Sequence, residues 1–265
     1  GLPIAMLKWL GILRVPMIYV SQGLAHRLLA RVETGRSRVF RFLYSRILHS
    51  VERLLVLGEG AVVPVERAFG VEPKRVSVLP FGVDDCFWTP AEKSLQGDYI
   101  LSVGTDAARD YLTLLRAVGQ RSVHIVTRQR LPGSLLGAGV QVSSNHSFAE
   151  LRDLYRVARF VVIPLQDVDQ PSGQSAALQA MACAKAVIIT RTQGLWEPEC
   201  MRHLDTCFLV EPGDVEGLRE AMEYLWANPA DAERIGLNAR RLVERRYNAH
   251  SLARNLERHV LAVVA

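Results

Sequence analysis

The chain has 265 residues, 49% of them hydrophobic and 22% charged, with a net charge of +5; it is long enough for two units of about 100 to 200 residues and too apolar to be disordered. Its four cysteines, Cys86, Cys183, Cys200 and Cys207, show no CxxC or paired ligand spacing and its seven histidines no HExxH, so the thiols read as reduced and no metal site is expected. The positive charge comes without the glycine-aromatic pattern of an RNA-binding sheet or zinc-finger spacing, which sets nucleic acid aside as a partner.

The opening stretch, GLPIAMLKWLGILRVPMIYV, is apolar, but Pro3, Lys8, Gly11, Arg14 and Pro16 break it well short of the ~20 uninterrupted apolar residues of a membrane span. It also lacks the charge-first, small-residue-last layout of a signal peptide. It reads as a helix ending near Gly11 followed by a buried strand, VPMIYVS, and the pattern starts midway, as in part of a larger protein. From Arg27 to Arg53 the chain is rich in arginine, with Glu33 and Glu52 as its acids. Solvated helix faces are one reading; a basic face for phosphate groups or an anionic membrane is the other. RVFRFLYSRILHSV then predicts a helix, ERLLVLGEG a strand, AVVPVERAFGV a helix and RVSVLPFGVD a strand with its exit.

At FGVDDCFWTPAEKSLQGDY the composition turns polar, as in a linker, with a boundary near residues 90 to 97. Beyond it the alternation resumes: strands at YILSVG, VHIVTR, VQVSS, RFVVIPL, AVIIT and TCFLVEP, with helices at YLTLLRAV, SFAELRDLYRVA and SGQSAALQAMA between the earlier ones. Three further helices close the chain, the first capped by Asp214 and stopped by Pro229. Short apolar strands alternating with helices give α/β architecture with doubly wound parallel sheets. The expected organisation is two Rossmann-like domains, the first truncated: residues 1–91, residues 92–248, and a C-terminal helix over 249–265 packing back on the first unit. Ligands of such sheets sit where strands run out into helices.

Four of those loops carry chemistry. In SVGTDAARDY, Gly104 lets a phosphate approach the backbone and Arg109 offers a two-pronged fork. IVTRQR ends a strand with Arg128 and Arg130. In SSNHSFAEL, Ser147 and Glu150 make a capping box, leaving Asn145 and His146 as contacts to a base or sugar. In PSGQSAALQAMA, Ser172 or Gly173 opens a helix whose free amides and dipole suit an anion, with Gln174, Ser175 and Gln179 at its mouth and Gln179 one turn beyond Ser175.

The segment SGQSAALQAMACAKAVIIT resembles the donor-binding segment of retaining GT-B glycosyltransferases of family 4, which reads Leu-Glu-Ala-Met-Ala and then Cys-Gly-x-Pro-Val. Leu178, Ala180, Met181, Ala182 and Cys183 match. VLPFGVD resembles the crossover between the two domains, ELRDLYRVARFVVIPL the segment before the donor loop, and FLVEPGDVEGL the segment after it. The chain departs from that pattern at Pro171 and Gln179, where the family carries glutamates, and at Ala184-Lys185-Ala186. An amide accepts and donates hydrogen bonds but carries no charge.

The resemblance implies transfer of a sugar from a nucleotide-diphosphate sugar with retention of configuration, with no separate cofactor. Gly104, Arg109, Arg128, Ser172, Gly173, Gln174, Ser175 and Gln179 would hold the donor, with Arg109 and Gln174 closest to the chemistry. Gln22, Gly23 and His26, and the loop at Glu59 and Gly60, would face the acceptor, a saccharide or lipid-linked molecule. The expected setting is cytoplasmic, with peripheral contact to the inner face of a membrane. The alternative is a degenerate protein of this fold that binds a nucleotide sugar or a partner chain without turnover; an epimerase or phosphorylase on the same architecture is a third reading.

Overall fold

Strands covered on both faces are short and apolar throughout, and this pattern holds for the inner strands of both halves, while the edge strands at Ile18–Ser21 and Val140–Ser143 are partly exposed. A computed structural model describes residues 2–23, 35–92 and 97–264. The first unit contains α1 (Leu2–Trp9), β1 (Ile18–Ser21), α2 (Gly35–His49), β2 (Arg53–Val56), α3 (Val62–Phe69) and β3 (Val76–Val78). Its strands are parallel, in the order β1-β2-β3. The expected strand VPMIYVS is shortened at its start, because the Met17 N–H is taken by the Glu52 carboxylate at 2.7 Å instead of a ladder.

The second unit runs β4 (Ile100–Val103), α4 (Tyr111–Ala117), β5 (Val123–Val126), β6 (Val140–Ser143), α5 (Phe148–Val157), β7 (Val161–Ile163), α6 (Gln174–Ala182), β8 (Val187–Thr190), β9 (Phe208–Val210), α7 (Val215–Ala227) and α8 (Pro229–Arg246). All six strands are parallel, in the order β6-β5-β4-β7-β8-β9. Side chains divide by parity. Leu101, Val103, Val161, Ile163, Val187 and Ile189 pack against α6, while Ile100, Val162 and Ile188 pack against α4 and α7. The chain winds outward from β4 through β5 to β6 and then returns to β7 on the other side. The loops after β4 and β7 therefore diverge and leave a crevice at the switch point.

The helices start where the sequence marks them. Asp110 accepts the Thr113 N–H at 3.1 Å, Asp214 accepts that of Gly217, and Ser147 with Glu150 completes a capping box. α9 (Ala249–Val264) returns to the first unit and lies against β1. Its approach is fixed by the Val83 N–H, which donates to Tyr247 O at 2.8 Å, and by Gly82, where a Cβ would lie 2.9 Å from Leu252 Cβ. Just before it, the buried Glu197 carboxylate accepts the Arg246 Nε at 3.0 Å and the Tyr247 hydroxyl, tying the loop after β8 to the end of α8. Among the described residues, no helix is long and apolar enough to cross a membrane, and all four cysteines are free thiols.

Candidate functional site

The loop after β4 is stitched to the end of β7, across the switch point. The Asp110 N–H donates to Pro164 O at 3.0 Å and the Gln166 N–H to Ala108 O at 2.9 Å, with a backbone bridge between Arg109 and Leu165. This turns the Arg109 side chain inward. It is 3% exposed, with Nε 3.4 Å from Asp106 Oδ2. Its guanidinium fills the space between two glycines whose φ angles are positive, Gly104 at 153° and Gly173 at 72°. A Cβ on Gly173 would lie 2.5 Å from Nη1, and one on Gly104 would lie 2.5 Å from Nη2. Nε and Nη1 are buried with no hydrogen-bond partner. Buried donors are rarely left unpaired, and a fixed guanidinium with open donors is a receptor for an anion.

Gly173 is also the N-cap of α6, and it contributes no side-chain cap. Ser172, a candidate cap by sequence, instead donates its hydroxyl to Asp106 Oδ1 at 2.7 Å. The first-turn N–H groups of α6 thus keep the positive end of the helix dipole open toward the crevice. Asp106, whose role the sequence reading missed, holds Ser172 and faces Arg109; its signal was its place in the same loop as Gly104.

Two cavities flank the loops that hold this arginine, which itself lines neither. The larger, about 340 Å³, lies between the units and takes Gln22, Gly23 and Phe81 from the first and Asp106 and Ser172 to Ser175 from the second. Gln174 is buried on its wall, and its Nε2 donates to Leu57 O of the first unit at 3.1 Å. Gly23 packs against the Gln170 side chain, while His26 lies outside the described residues. Glu59 and Gly60 do not line this cavity. The Glu59 N–H donates to Trp196 O at 3.1 Å, and a Cβ on Gly60 would be 2.8 Å from Gly194 Cα, so that loop is taken up by packing between the units.

The second cavity, about 320 Å³, spans the ends of β4, β5 and β6 and is lined by Gly104, Thr105, Arg128, Asn145 and His146 among others. The Arg128 N–H donates to Thr105 Oγ1 at 3.3 Å. Behind it, His124 Nε2 lies 2.6 Å from Ser143 Oγ, which lies 2.7 Å from His146 Nε2. Burial, and then the neighbouring His146, push the His124 pKa down, which favours the neutral ring. Gln179 lines neither cavity; it is half-buried on α6, a turn beyond Ser175, where the cavity has already ended. The arrangement suits an elongated ligand with an anionic middle at Arg109 and α6 and a neutral end in each cavity. Asp84, Asp85 and Cys86 bring ligand atoms within 4.8 Å of one another, but Asp84 Oδ1 already accepts the Cys86 and Phe87 N–H groups.

Residues 105–228 match the family described as Glycosyl transferases group 1. The alpha-maltose-1-phosphate synthase of Mycobacterium tuberculosis is 27% identical over 232 residues, covering 70% of this chain and 59% of that protein, so the chain spans about three-fifths of the curated relative's length. The fold is that of solved GT-B glycosyltransferases. A sucrose-phosphate synthase from Thermosynechococcus elongatus superposes with a TM-score of 0.77 at 20% identity, over 97% of this chain and 72% of that one. Anabaena HepE in complex with UDP-glucose gives a TM-score of 0.81 at 14% identity, over 99% and 77%.

Proposed function

We propose, from the match of residues 105–228 to the family described as Glycosyl transferases group 1, that the chain transfers a sugar from a nucleotide-diphosphate sugar to an acceptor, with retention of configuration. The observation that carries this reading is the buried Arg109 guanidinium, whose Nη1 has no partner while Nε faces Asp106 at 3.4 Å, beside the uncapped start of α6. On this reading the diphosphate lies across Arg109 and the first amides of α6. The nucleoside occupies the cavity of Gly104, Arg128 and His146, and the sugar faces Gln174 and the first unit.

Chemically, a leaving diphosphate that gathers negative charge is stabilised by donors already in place, and it can itself take the proton of the incoming hydroxyl. The protein then needs no carboxylate base, which fits Pro171 and Gln179 standing where the family carries glutamates. The acceptor, a saccharide or lipid-linked molecule, enters past Gln22 and Gly23. Exposed Val39, Phe40 and Phe42 beside Arg38 on α2 support peripheral contact with an anionic membrane.

The second reading, binding without turnover, is favoured by the same missing glutamates. Calorimetric binding and transfer assays over one panel of nucleotide sugars, beginning with UDP-glucose, separate the two. Binding with transfer that falls in Arg109→Met supports the enzyme; binding with no transfer to any acceptor supports the degenerate protein; no binding overturns both.

A further inference from the structure

A third cavity lies at the opposite end of the second sheet, where the interior strands β7 and β8 begin. It is about 420 Å³ and is lined by Arg156, Arg159 and Lys185, the first turn of α8 at Pro229 and Ala230, and Glu233, among others. α6 has nine residues, so at about 1.5 Å per residue its length of roughly 13 Å separates this cavity from the cleft at Gly173.

The lining is cationic and incompletely paired. Lys185 makes no ion pair or side-chain hydrogen bond with any described residue. Burial holds its ammonium below the ordinary lysine pKa. The adjacent Cys183 thiol, pushed up to about 12 by burial, stays neutral and supplies no counter-charge. Arg159 is held over the Trp226 ring, 4.4 Å from its centroid, and Nη2 donates to Trp226 O at 2.8 Å. Its Nε is buried with no partner. Arg156 is pinned, through Nε and Nη2, to Thr89 at 2.8 and 2.6 Å, and its charge is met by Asp153, 3.3 Å from Nη1, so it frames the cavity without adding an unpaired charge. α8 starts without a side-chain cap at Asn228, so its positive end faces the same space. Against these stand the Glu233 carboxylate in the lining and Asp231 in the first turn of α8, the latter already paired with Arg234 and the Tyr224 hydroxyl.

The backbone also keeps this space in shape. Ala184 holds a left-handed φ of 57°, and Gly236 of α8 comes so close that a Cβ there would lie 2.8 Å from the Ala184 carbonyl carbon. The turn that presents Lys185 is therefore clamped between α6 and α8. Removing a charge from water without a partner is unfavourable, and an anion bridging Lys185 and Arg159 relieves both groups at once.

We propose that this cavity binds a phosphate monoester of sugar size, at a site separate from the cleft between the two units. The phosphate pairs with Lys185 and the unpartnered Nε–H of Arg159, and the remaining volume holds the attached polyol. The site stands independently of the reading given to the cleft.

The test is titration calorimetry with glucose 6-phosphate, inorganic phosphate and glucose, each run with and without saturating uridine diphosphate. Glucose 6-phosphate is expected to bind one to one whether or not uridine diphosphate is present. Lys185→Met should weaken it by about tenfold or more, the loss of one charge-assisted hydrogen bond, with uridine diphosphate affinity unchanged. Lys185→Arg should restore it. Absence of glucose 6-phosphate binding, heat abolished by uridine diphosphate, equal binding by Lys185→Met, or equal binding of inorganic phosphate or glucose each overturns the proposal. Loss of uridine diphosphate binding alone would instead strike the reading of the cleft.

Discussion

The backbone of Gly173 lies against the Arg109 guanidinium, so closely that a methyl group there would stand 2.5 Å from Nη1 and 2.6 Å from Ile163 Cγ2. The glycine also holds φ at 72°, where a side chain is strained by about 1 to 2 kcal/mol. Gly173→Ala is therefore expected to lower unfolding free energy by at least about that amount in urea titration, and to weaken nucleoside diphosphate binding by displacing Arg109. An alanine variant that binds as well as the parent would show that the arginine does not take part in the site.

Arg109→Met keeps much of the buried volume and removes the charge. The fold should survive, with little change in melting temperature, because the lost guanidinium has unpaired buried donors. Turnover should fall by about two to three orders of magnitude, the usual consequence of removing one donor to a developing anion. Steady-state transfer beside a thermal melt separates this from loss of folding.

Gln174→Leu deletes the hydrogen bond to Leu57 O and leaves that carbonyl without its partner. A loss of about 1 kcal/mol in stability is expected. If the two units must be held together around the acceptor, the acceptor KM rises more than the donor KM. Measuring both constants in the variant decides whether Gln174 acts as a clasp between the units or only on the donor.

Desolvation, and then the hydrogen bond to Glu197, raise the Tyr247 pKa above its ordinary value. The folded state thus retains a proton that the unfolded chain gives up near pH 10. That contribution is complete below about pH 10 and is lost as pH rises toward the folded pKa, at up to about 1.4 kcal/mol per pH unit for one proton. Tyr247→Phe should lower stability at neutral pH and make the alkaline fall shallower; denaturant midpoints between pH 8 and 11 give the comparison.

Membrane contact through α2 has a separate signature. Vesicles containing anionic lipid should retain the protein at low ionic strength and release it as salt shortens the Debye length from ~30 Å at 0.01 M to ~3 Å at 1 M. Equal retention by zwitterionic vesicles would remove the arginines from that role.

Much of the fold is written locally. The apolar runs at Ile100, Val161 and Val187 can lie only in covered strands, Asp110, Ser147 and Asp214 mark helix starts by their own side-chain chemistry, and the βαβ alternation places the useful loops at strand ends. The glycine and arginine of the loop after β4 and the polar mouth of α6 were legible for the same reason: their residue types are chosen by nearby backbone. What only the tertiary structure decided is how these pieces meet. Nothing within a window of neighbours says that Ser172 gives its hydroxyl to Asp106 instead of capping α6, that Glu59 and Gly60 are consumed by Trp196 and Gly194, or that Gln179 falls outside both cavities. Nor does it say that Arg109 fits between two glycines far apart in the chain. These outcomes follow from the close approach of elements packed on a common sheet and across two units, and local pattern specifies the faces that meet without specifying the atoms that touch.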